Sequence, residues 1–169
     1  MPHSLEQLLE QVARRGSWLG GGSAAALTAA LSAALLEKVV TRPRLAQRLR
    51  RRRQACTQLI HRDARMFARV IEATRTSNPR AVQRRLKAAT DVPCRVFEHA
   101  QAVQQACRAA RRSVKPQLQS DLRCALALAE AAGASARVLI QTNLAWLKDA
   151  AYARRVRRRL HSMAQGHVR

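Results

Sequence analysis

Residues 16–36 carry no charge in a chain of net charge +22, and this uncharged stretch restricts the possible folds more than any other part of the sequence. Gly20, Gly21 and Gly22 lie in its first half, and an alanine-rich run follows them. Three consecutive glycines are unfavourable inside a helix, whereas Ser23 is a good N-cap residue. The pattern therefore predicts a flexible loop that ends at Ser23 and leads into a buried, Ala-rich helix.

The start of this predicted helix is also a candidate binding site. Backbone N–H groups of a first helical turn have no partner within the helix, and they lie at the positive end of the helix dipole. Such a site receives anionic or carbonyl-bearing ligands. A plain glycine turn before a core helix explains the same residues, so both interpretations stay open on this stretch alone.

The rest of the chain is also predicted to be helical. Aromatic residues make up only 3% of it, and Ala, Leu, Arg and Gln, which favour helices, are abundant. Small side chains repeat along residues 23–41, so this helix is expected to be the central, fully buried helix of a bundle. The remaining helices are predicted over residues 5–15, 44–74, 80–114 with a kink or break at Pro93, from Ser120-Asp121 onward, and 150–169 with fraying after Gly166. The fold class is therefore all-α, in a single domain over residues 1–169.

Asp63 is the carboxylate whose position is most informative. Leu59, Phe67 and Val70 lie at i−4, i+4 and i+7 from it, so Asp63 is placed on the apolar face of its helix. A carboxylate directed inward is costly unless it is paired or its pKa is raised, and a general base in a pocket needs the same surroundings. An ion pair with one of the many arginines is the structural alternative.

Two further polar residues are candidates. Asp121 follows a predicted N-cap, Ser120, where a carboxylate also stabilises the helix dipole. Asn143 lies in an apolar segment, residues 138–149, and a buried amide needs hydrogen-bond partners.

Cysteine and histidine spacing indicates no metal site. The four cysteines contain no C-x-x-C pair, and the five histidines are equally dispersed: Cys56, Cys94, Cys107, Cys124, His3, His61, His99, His161 and His167. We expect buried thiols in a reducing cytoplasm. Arg14-Arg15 ahead of the uncharged stretch is superficially like an export signal, but the stretch has too few large apolar residues. We therefore expect neither export nor a membrane span.

The net charge of +22 favours a polyanionic partner, and an Arg-rich nucleic-acid-binding protein is one candidate function. The chain has few aromatic residues for base stacking and no recognisable DNA-binding motif, so this function is not favoured. An Arg and Ala bias also arises from a GC-rich genome, and charge runs are commonly solvated helix faces.

Several motifs, taken in order, resemble the cyclodeaminase/cyclohydrolase family, which includes the cyclodeaminase part of formiminotransferase-cyclodeaminase and bacterial methenyltetrahydrofolate cyclohydrolase. The resemblance spans nearly the whole chain. The matching motifs are Gly20-Gly21-Gly22-Ser23 before an Ala-rich helix, Asp63 with Phe67 and Val70, Val92-Pro93, Ser120-Asp121-Leu122, and Asn143-Leu144 with Lys148-Asp149.

The resemblance implies an all-α homodimer that binds a reduced folate near the glycine-rich loop. Asp63 would be the catalytic general acid or base, and the ligand would contact Gly20, Gly21, Gly22, Ser23, Asp121 and Asn143. The substrate would be a tetrahydrofolate derivative, with no tightly bound cofactor. The reaction would be hydrolysis of the methenyl ring, or cyclisation of a formimino group with loss of ammonia.

The chain departs from the family pattern at four positions. Leu19 stands where proline is usual, Ser77 falls where a lysine is common, Gln119 replaces an asparagine, and Leu139 stands where a second asparagine is expected. These departures favour an alternative function, a catalytically degenerate bundle that serves as an accessory or binding subunit.

Overall fold

The computed structural model describes residues 4–76 and 78–165, so the expectations for His3, Ser77, Gly166 and His167 lie outside the described residues. The described part contains six α-helices and no strand, which confirms the prediction of an all-α bundle. The helices are α1 (Leu5–Ala13), α2 (Gly21–Val39), α3 (Pro43–Arg75), α4 (Pro79–Ala110), α5 (Gln119–Trp146) and α6 (Ala150–Ala164), with a short 3-10 turn at Pro116–Leu118.

Helix α2 lies at the centre of the bundle. It packs along α3 and α5 and also contacts α4, and α4 packs against α3 and α5. Three alanines on its inward rows, Ala26, Ala29 and Ala33, have no exposed surface. Because these side chains are small, neighbouring helices approach closely, and the larger side chains Phe97 and Ile140 fill the space between them.

The expectation that α2 is fully buried is only partly confirmed. One row along the helix remains open to solvent, and Leu31 on it is 52% exposed. The row consists of Ala24, Leu27, Thr28, Leu31 and Leu35. The helix therefore buries its alanines against its neighbours and presents an uncharged outward face.

The predicted start of α2 was wrong. The helix begins at Gly21 with Gly20 as N-cap, so Ser23 is its third residue and not its cap. The physical reason is a tertiary contact, because the Ser23 hydroxyl donates a hydrogen bond of 2.8 Å to the Ile60 carbonyl on α3. Two of the glycines thus form the first turn of the helix, where they lie close to α3 and α5.

The other helices begin within two residues of the predicted positions, but α1 and α4 end earlier than predicted, at Ala13 and Ala110, and two further details differ. Helix α4 continues through Pro93, which therefore does not split it. Helix α5 has Leu118 as N-cap and not Ser120, although Asp121 lies in its first turn as predicted. Ser4 caps α1 with its side chain, as predicted.

Replacement of Gly22 by alanine tests the contact between the first turn of α2 and α3. A Cβ at residue 22 would overlap the carboxyl group of Asp63, whereas a Cβ at residue 21 would lie 3.5 Å from Leu139 Cδ2, an ordinary contact. We expect Gly22→Ala to lower the free energy of unfolding by about 1–3 kcal/mol through overpacking.

Gly21→Ala is the matched control, because it makes the same change one residue away in the same helical turn. It should leave stability unchanged or raise it by up to about 1 kcal/mol, since alanine favours a helix over glycine. Urea denaturation of both variants gives the comparison, and equal effects would contradict the proposed contact.

Candidate functional site

A cleft of about 420 Å³ lies between α3, α4 and α5. Most of its surface is apolar, and the residues that line it include no Arg or Lys. The lining residues from α3 are Asp63, Phe67, Val70, Ile71 and Thr74; those from α4 are Val82, Leu86, Ala89 and Pro93; those from α5 are Leu139, Thr142, Asn143 and Trp146. The structure therefore brings together two of the predicted site residues, Asp63 and Asn143, in one cleft.

Asp63 lies against the first turn of α2. The Ser23 hydroxyl is 3.4 Å from Asp63 Oδ2, but its hydrogen is directed mainly to the Ile60 carbonyl at 2.8 Å, since one hydroxyl has one proton to donate. The Ser23 backbone N–H also donates to the Asp63 carboxylate. No side chain from its own segment caps α2, so Asp63 serves as the cap from a neighbouring helix.

Burial raises the pKa of the Asp63 carboxyl group above its ordinary value. The Ser23 N–H and, more weakly, the Ser23 hydroxyl act in the opposite direction, because they stabilise the charged form, but burial is the larger effect. The predicted structural alternative, an ion pair with arginine, is not what the structure shows, since the groups that contact the carboxylate belong to Ser23 and Gly22. A carboxyl group in these surroundings can bind and release a proton nearer neutral pH.

Few polar side chains in the cleft remain available to a ligand. Thr74 donates its hydroxyl hydrogen to the Ile71 carbonyl, and Thr142 donates to the Val138 carbonyl, each within its own helix. The half-buried side chain of Asn143 has no hydrogen-bond partner among the described residues. Asp63 and Asn143 therefore offer the main hydrogen-bonding groups of the lining. The Asp63 carboxyl group accepts hydrogen bonds when it is ionised, and the Asn143 amide both donates and accepts them.

The glycine-rich segment lies at the Asp63 end of the cleft. Gly21 is close to Leu139, and Gly22 is close to Asp63, so both glycines border the residues that line the cleft. Gly20 precedes them as the helix N-cap and has open space around its Cα. A ligand in the cleft can thus reach the backbone of the first turn of α2.

Asp121 lies elsewhere in the subunit. Its Oδ2 atom accepts a hydrogen bond of 2.9 Å from Lys38 Nζ, in the last turn of α2. Lys38 is 15 residues beyond Ser23, which corresponds to about 22 Å along a helix. Within one subunit, Asp121 therefore does not share a site with Asp63, and its predicted ligand contact stays a prediction.

Aromatic residues border the cleft, and sequence reasoning did not assign them to the site. Trp146 is 72% exposed and Phe67 is 49% exposed, although both line the cleft. The Trp18 ring meets the Phe67 ring edge to face, with 6.2 Å between their centroids. The signal for them was available, because these residues are three of only five aromatic residues in the chain.

Pro93 contributes in a different way. Proline has no backbone N–H, so the Ala89 carbonyl lacks the donor that a helix would supply four residues later. Ala89 and Pro93 both line the cleft. The proline in the Val92-Pro93 motif therefore removes one helical hydrogen bond at the wall of the site.

The profile of the formiminotransferase-cyclodeaminase family matches residues 4–162. The chain belongs to this family. Its structure is similar to the crystal structure of formiminotetrahydrofolate cyclodeaminase from Thermotoga maritima, with a TM-score of 0.90 and 22% sequence identity over 96% of this chain and 88% of that chain. Identity at this level shows a shared fold. The comparison with curated protein sequences gave no match.

The family resemblance deduced from the motifs is thus confirmed, and the cleft with Asp63 lies within the matched residues. The described residues contain no group of three or more His, Cys, Asp or Glu side chains placed to hold a metal ion. Burial raises the pKa of the Cys56 thiol to about 12 and those of Cys94 and Cys107 to about 11. The expectation of four buried thiols is wrong for Cys124, which is exposed on α5.

The raised pKa of Asp63 predicts a specific pH dependence of stability. Between the ordinary aspartate pKa, about 3.9, and the raised value, the folded protein binds more protons at this group than the unfolded chain does. The free energy of unfolding therefore falls as pH rises through this window. Asp63→Asn lacks the titrating group but still offers an oxygen that accepts the Ser23 N–H.

We expect Asp63→Asn to gain stability relative to the native protein as pH rises above about 4, and the gain to level off above the folded-state pKa. Denaturation of both proteins at several pH values measures it. A difference that stays constant with pH, or that changes in the opposite direction, would refute the raised pKa.

Proposed function

We propose that this protein is a folate-dependent one-carbon enzyme, either a methenyltetrahydrofolate cyclohydrolase or a formimidoyltetrahydrofolate cyclodeaminase, with Asp63 as the general acid and base. The observation that carries the proposal is the position of Asp63, in an apolar cleft and against the first turn of α2. Membership of the family supports a folate as substrate.

Both reactions require one group that takes up and returns a proton at a one-carbon centre. In cyclohydrolysis, water forms a C–O bond at the methenyl carbon and loses one proton. The resulting hydroxyl loses its own proton as the formyl C=O forms, and a ring nitrogen receives a proton as its C–N bond breaks, so one proton is released overall. In cyclodeamination, the formimino group is held by the pterin ring nitrogen. The neighbouring amine, which links the pterin to the aminobenzoyl group, attacks the formimino carbon and loses a proton, and the departing nitrogen gains one as ammonia leaves. A carboxyl group with a raised pKa suits either sequence, since its proton affinity lies nearer neutral pH.

The remaining site residues would bind and position the ligand. Asn143 offers an amide donor and acceptor to the polar edge of a pterin ring, and the apolar lining excludes water from its faces. Trp146 and Phe67 offer aromatic surfaces at the border of the cleft. Gly21, which borders the cleft, permits close approach of the ligand to backbone N–H groups, whereas the Asp63 carboxyl group already occupies the space beside Gly22.

A second candidate function is folate binding without turnover. The observation that favours it is Leu139, which lines the cleft at the position where the family pattern has an asparagine. With leucine at this position the site has one amide group fewer, and Asn143 lacks the second asparagine that the family pattern places beside it. In this second function, the protein binds a folate but does not catalyse its conversion.

Asp63→Asn separates the two candidates when native protein and variant are assayed with methenyltetrahydrofolate. The variant cannot exchange a proton at residue 63, so we expect at least about a hundredfold lower kcat, the ordinary contribution of general acid–base catalysis. Folate binding, measured by calorimetry, should persist because the variant retains the shape of the site.

Glu72→Gln provides the matched control, since it removes a carboxylate from an exposed position of the same helix. Native activity should be unchanged in it. Turnover by Asp63→Asn at the native rate would reject Asp63 as the acid and base, and binding without turnover by the native protein would favour the second candidate.

We further propose that the chain forms a homodimer through the outward faces of α2 and α5. These two helices pack against each other, and each carries an uncharged row in a protein of net charge +22. The row on α2 includes Leu31, and the row on α5 consists of Cys124, Ala127, Ala131, Ala134 and Val138, all exposed. A second copy of the same surface would bury both rows without bringing arginines together.

The same two segments, Gly21–Val39 and Pro116–Trp146, are long and apolar enough to cross a membrane by length and composition alone. The inward faces of both helices lie in the bundle core, where Ala29 and Ala129 have no exposed surface. The core of a folded bundle explains the apolar character of the inward faces, and a dimer interface explains that of the outward faces.

A charge placed on the α2 row tests the dimer. Leu31→Arg should shift the sedimentation coefficient to that of a monomer, because it would bury an unpaired charge at the interface. Gln58→Arg adds the same side chain at an exposed position on α3 and should leave the oligomeric state unchanged. A native protein that sediments as a monomer, or a Leu31→Arg variant that remains dimeric, would overturn this interface.

A further inference from the structure

A second cavity, of about 360 Å³, lies between the first half of α3 and the second half of α4. Three arginines line it, Arg42, Arg48 and Arg52, and its lining residues include no carboxylate. Apolar side chains, among them Leu45 and Leu49, form the remaining wall. The cavity has the volume of a small-molecule site.

This cavity is separate from the cleft that contains Asp63. Arg52 precedes Asp63 by 11 residues on α3, which corresponds to about 16 Å along a helix. On α4, Pro93 lines the cleft and Ala102 lines the cavity. The two residues are nine positions apart, so their side chains leave the helix in directions that differ by about 180°. The two spaces thus face opposite sides of α4, and a ligand in one does not occupy the other.

The arginines of the cavity lack the partners that other arginines of the same helix have. Glu37 pairs with Arg50 and Arg53. Glu98, whose charge is felt by Arg52, pairs with Arg159 on α6. Among the described residues, Arg42, Arg48 and Arg52 form no ion pair, so no carboxylate directly neutralises the guanidinium groups of the cavity.

Arg52 is held in place by a neutral group. Its Nη1 atom is 3.3 Å from His99 Nδ1, and burial lowers the pKa of His99 to about 4, helped by the charges of Arg52 and Arg95. The ring is therefore uncharged at neutral pH and can accept a hydrogen bond from the guanidinium. Burial, and the charge of Arg48 one turn away, also lower the pKa of Arg52. The charged form of Arg52 is therefore less stable here than in water, and a bound anion would stabilise it.

The backbone adds to the positive potential. Helix α3 begins at Pro43 beside the cavity, and its N-cap residue Arg42 forms no side-chain cap hydrogen bond. The positive end of the α3 dipole thus lies at the Arg42 end of the cavity. A guanidinium group can donate two parallel hydrogen bonds to two oxygens of one phosphate. The apolar wall would contact a non-polar part of the same ligand.

We propose that this cavity binds a phosphate-bearing small molecule through Arg42, Arg48 and Arg52. The site goes beyond the proposed folate function, since it lies outside the cleft and uses none of its residues. Its ligand compensates the repulsion between Arg48 and Arg52, so binding stabilises the folded chain.

Calorimetric titration of the full chain at physiological salt tests the site, with adenosine monophosphate, inorganic phosphate and citrate as probes. We expect saturable binding of one adenosine monophosphate per chain, weaker binding of phosphate, and citrate weaker than adenosine monophosphate. Tighter binding of citrate would overturn the assignment to phosphate ligands, and the lack of saturable binding of any probe would overturn the site.

Paired variants distinguish this site from general attraction to a basic protein. Arg48→Gln with Arg52→Gln should weaken adenosine monophosphate binding by about tenfold or more, the effect of losing a charge-assisted hydrogen bond. Arg157→Gln with Arg158→Gln removes the same charge from exposed positions of α6 and should change the affinity by less than about twofold. Equal losses in the two double variants would contradict the proposal.

If the double variant does not fold, Arg48→Gln alone tests the site. This single variant is expected to fold because Arg48 is exposed. Without ligand it should melt at or above the native Tm, since it removes a like-charge neighbour of Arg52. The rise in Tm that adenosine monophosphate gives the native protein should be smaller in the variant. A rise equal to the native one would also overturn the site.

Discussion

The first turn of α2 can approach α3 closely only because residue 22 has no side chain. The Asp63 carboxyl group occupies the space that a Cβ of Gly22 would take, and the Ser23 hydroxyl is bonded to the Ile60 carbonyl beside it. This contact fixes the position of the central helix relative to α3. It also closes one end of the cleft, so the same contact sets the packing of the bundle and the surroundings of the candidate acid and base.

Two opposing effects meet at Asp63. Burial disfavours the carboxylate, whereas the first turn of α2 favours it through the Ser23 N–H and the helix dipole. Because burial is the larger effect, the pKa is raised, yet the carboxylate still has a donor when it ionises. A group held between these effects can change its protonation during a reaction without losing its place in the fold. The arginines, by contrast, lie outside the cleft, where they leave its low-polarity lining intact.

Periodicity alone placed Asp63 correctly, because an apolar face on a long helix is a local property of the sequence. Asn143 was a candidate because it lies in an apolar segment, and the family resemblance assigned it to the ligand. The role of Ser23 could not be predicted in this way, since its partner, Ile60, lies 37 residues away and tertiary bonding displaced the cap to Gly20. The family pattern alone placed Asp121 near the ligand, whereas in one subunit its carboxylate pairs with Lys38 at the far end of α2. The cavity lined by three arginines could not be predicted from the sequence either, because it is formed by residues of α3 and α4 that are distant in sequence.

In the proposed function, Asp63 lies against the one-carbon centre of a reduced folate. A crystal structure of the protein with a stable reduced folate tests it most directly. We expect the pterin ring in the cleft, with the edge that carries the one-carbon unit within hydrogen-bonding distance of an Asp63 carboxyl oxygen and the Asn143 amide in contact with the ring. A folate bound elsewhere, or bound in the cleft with its reacting edge directed away from Asp63, would contradict it.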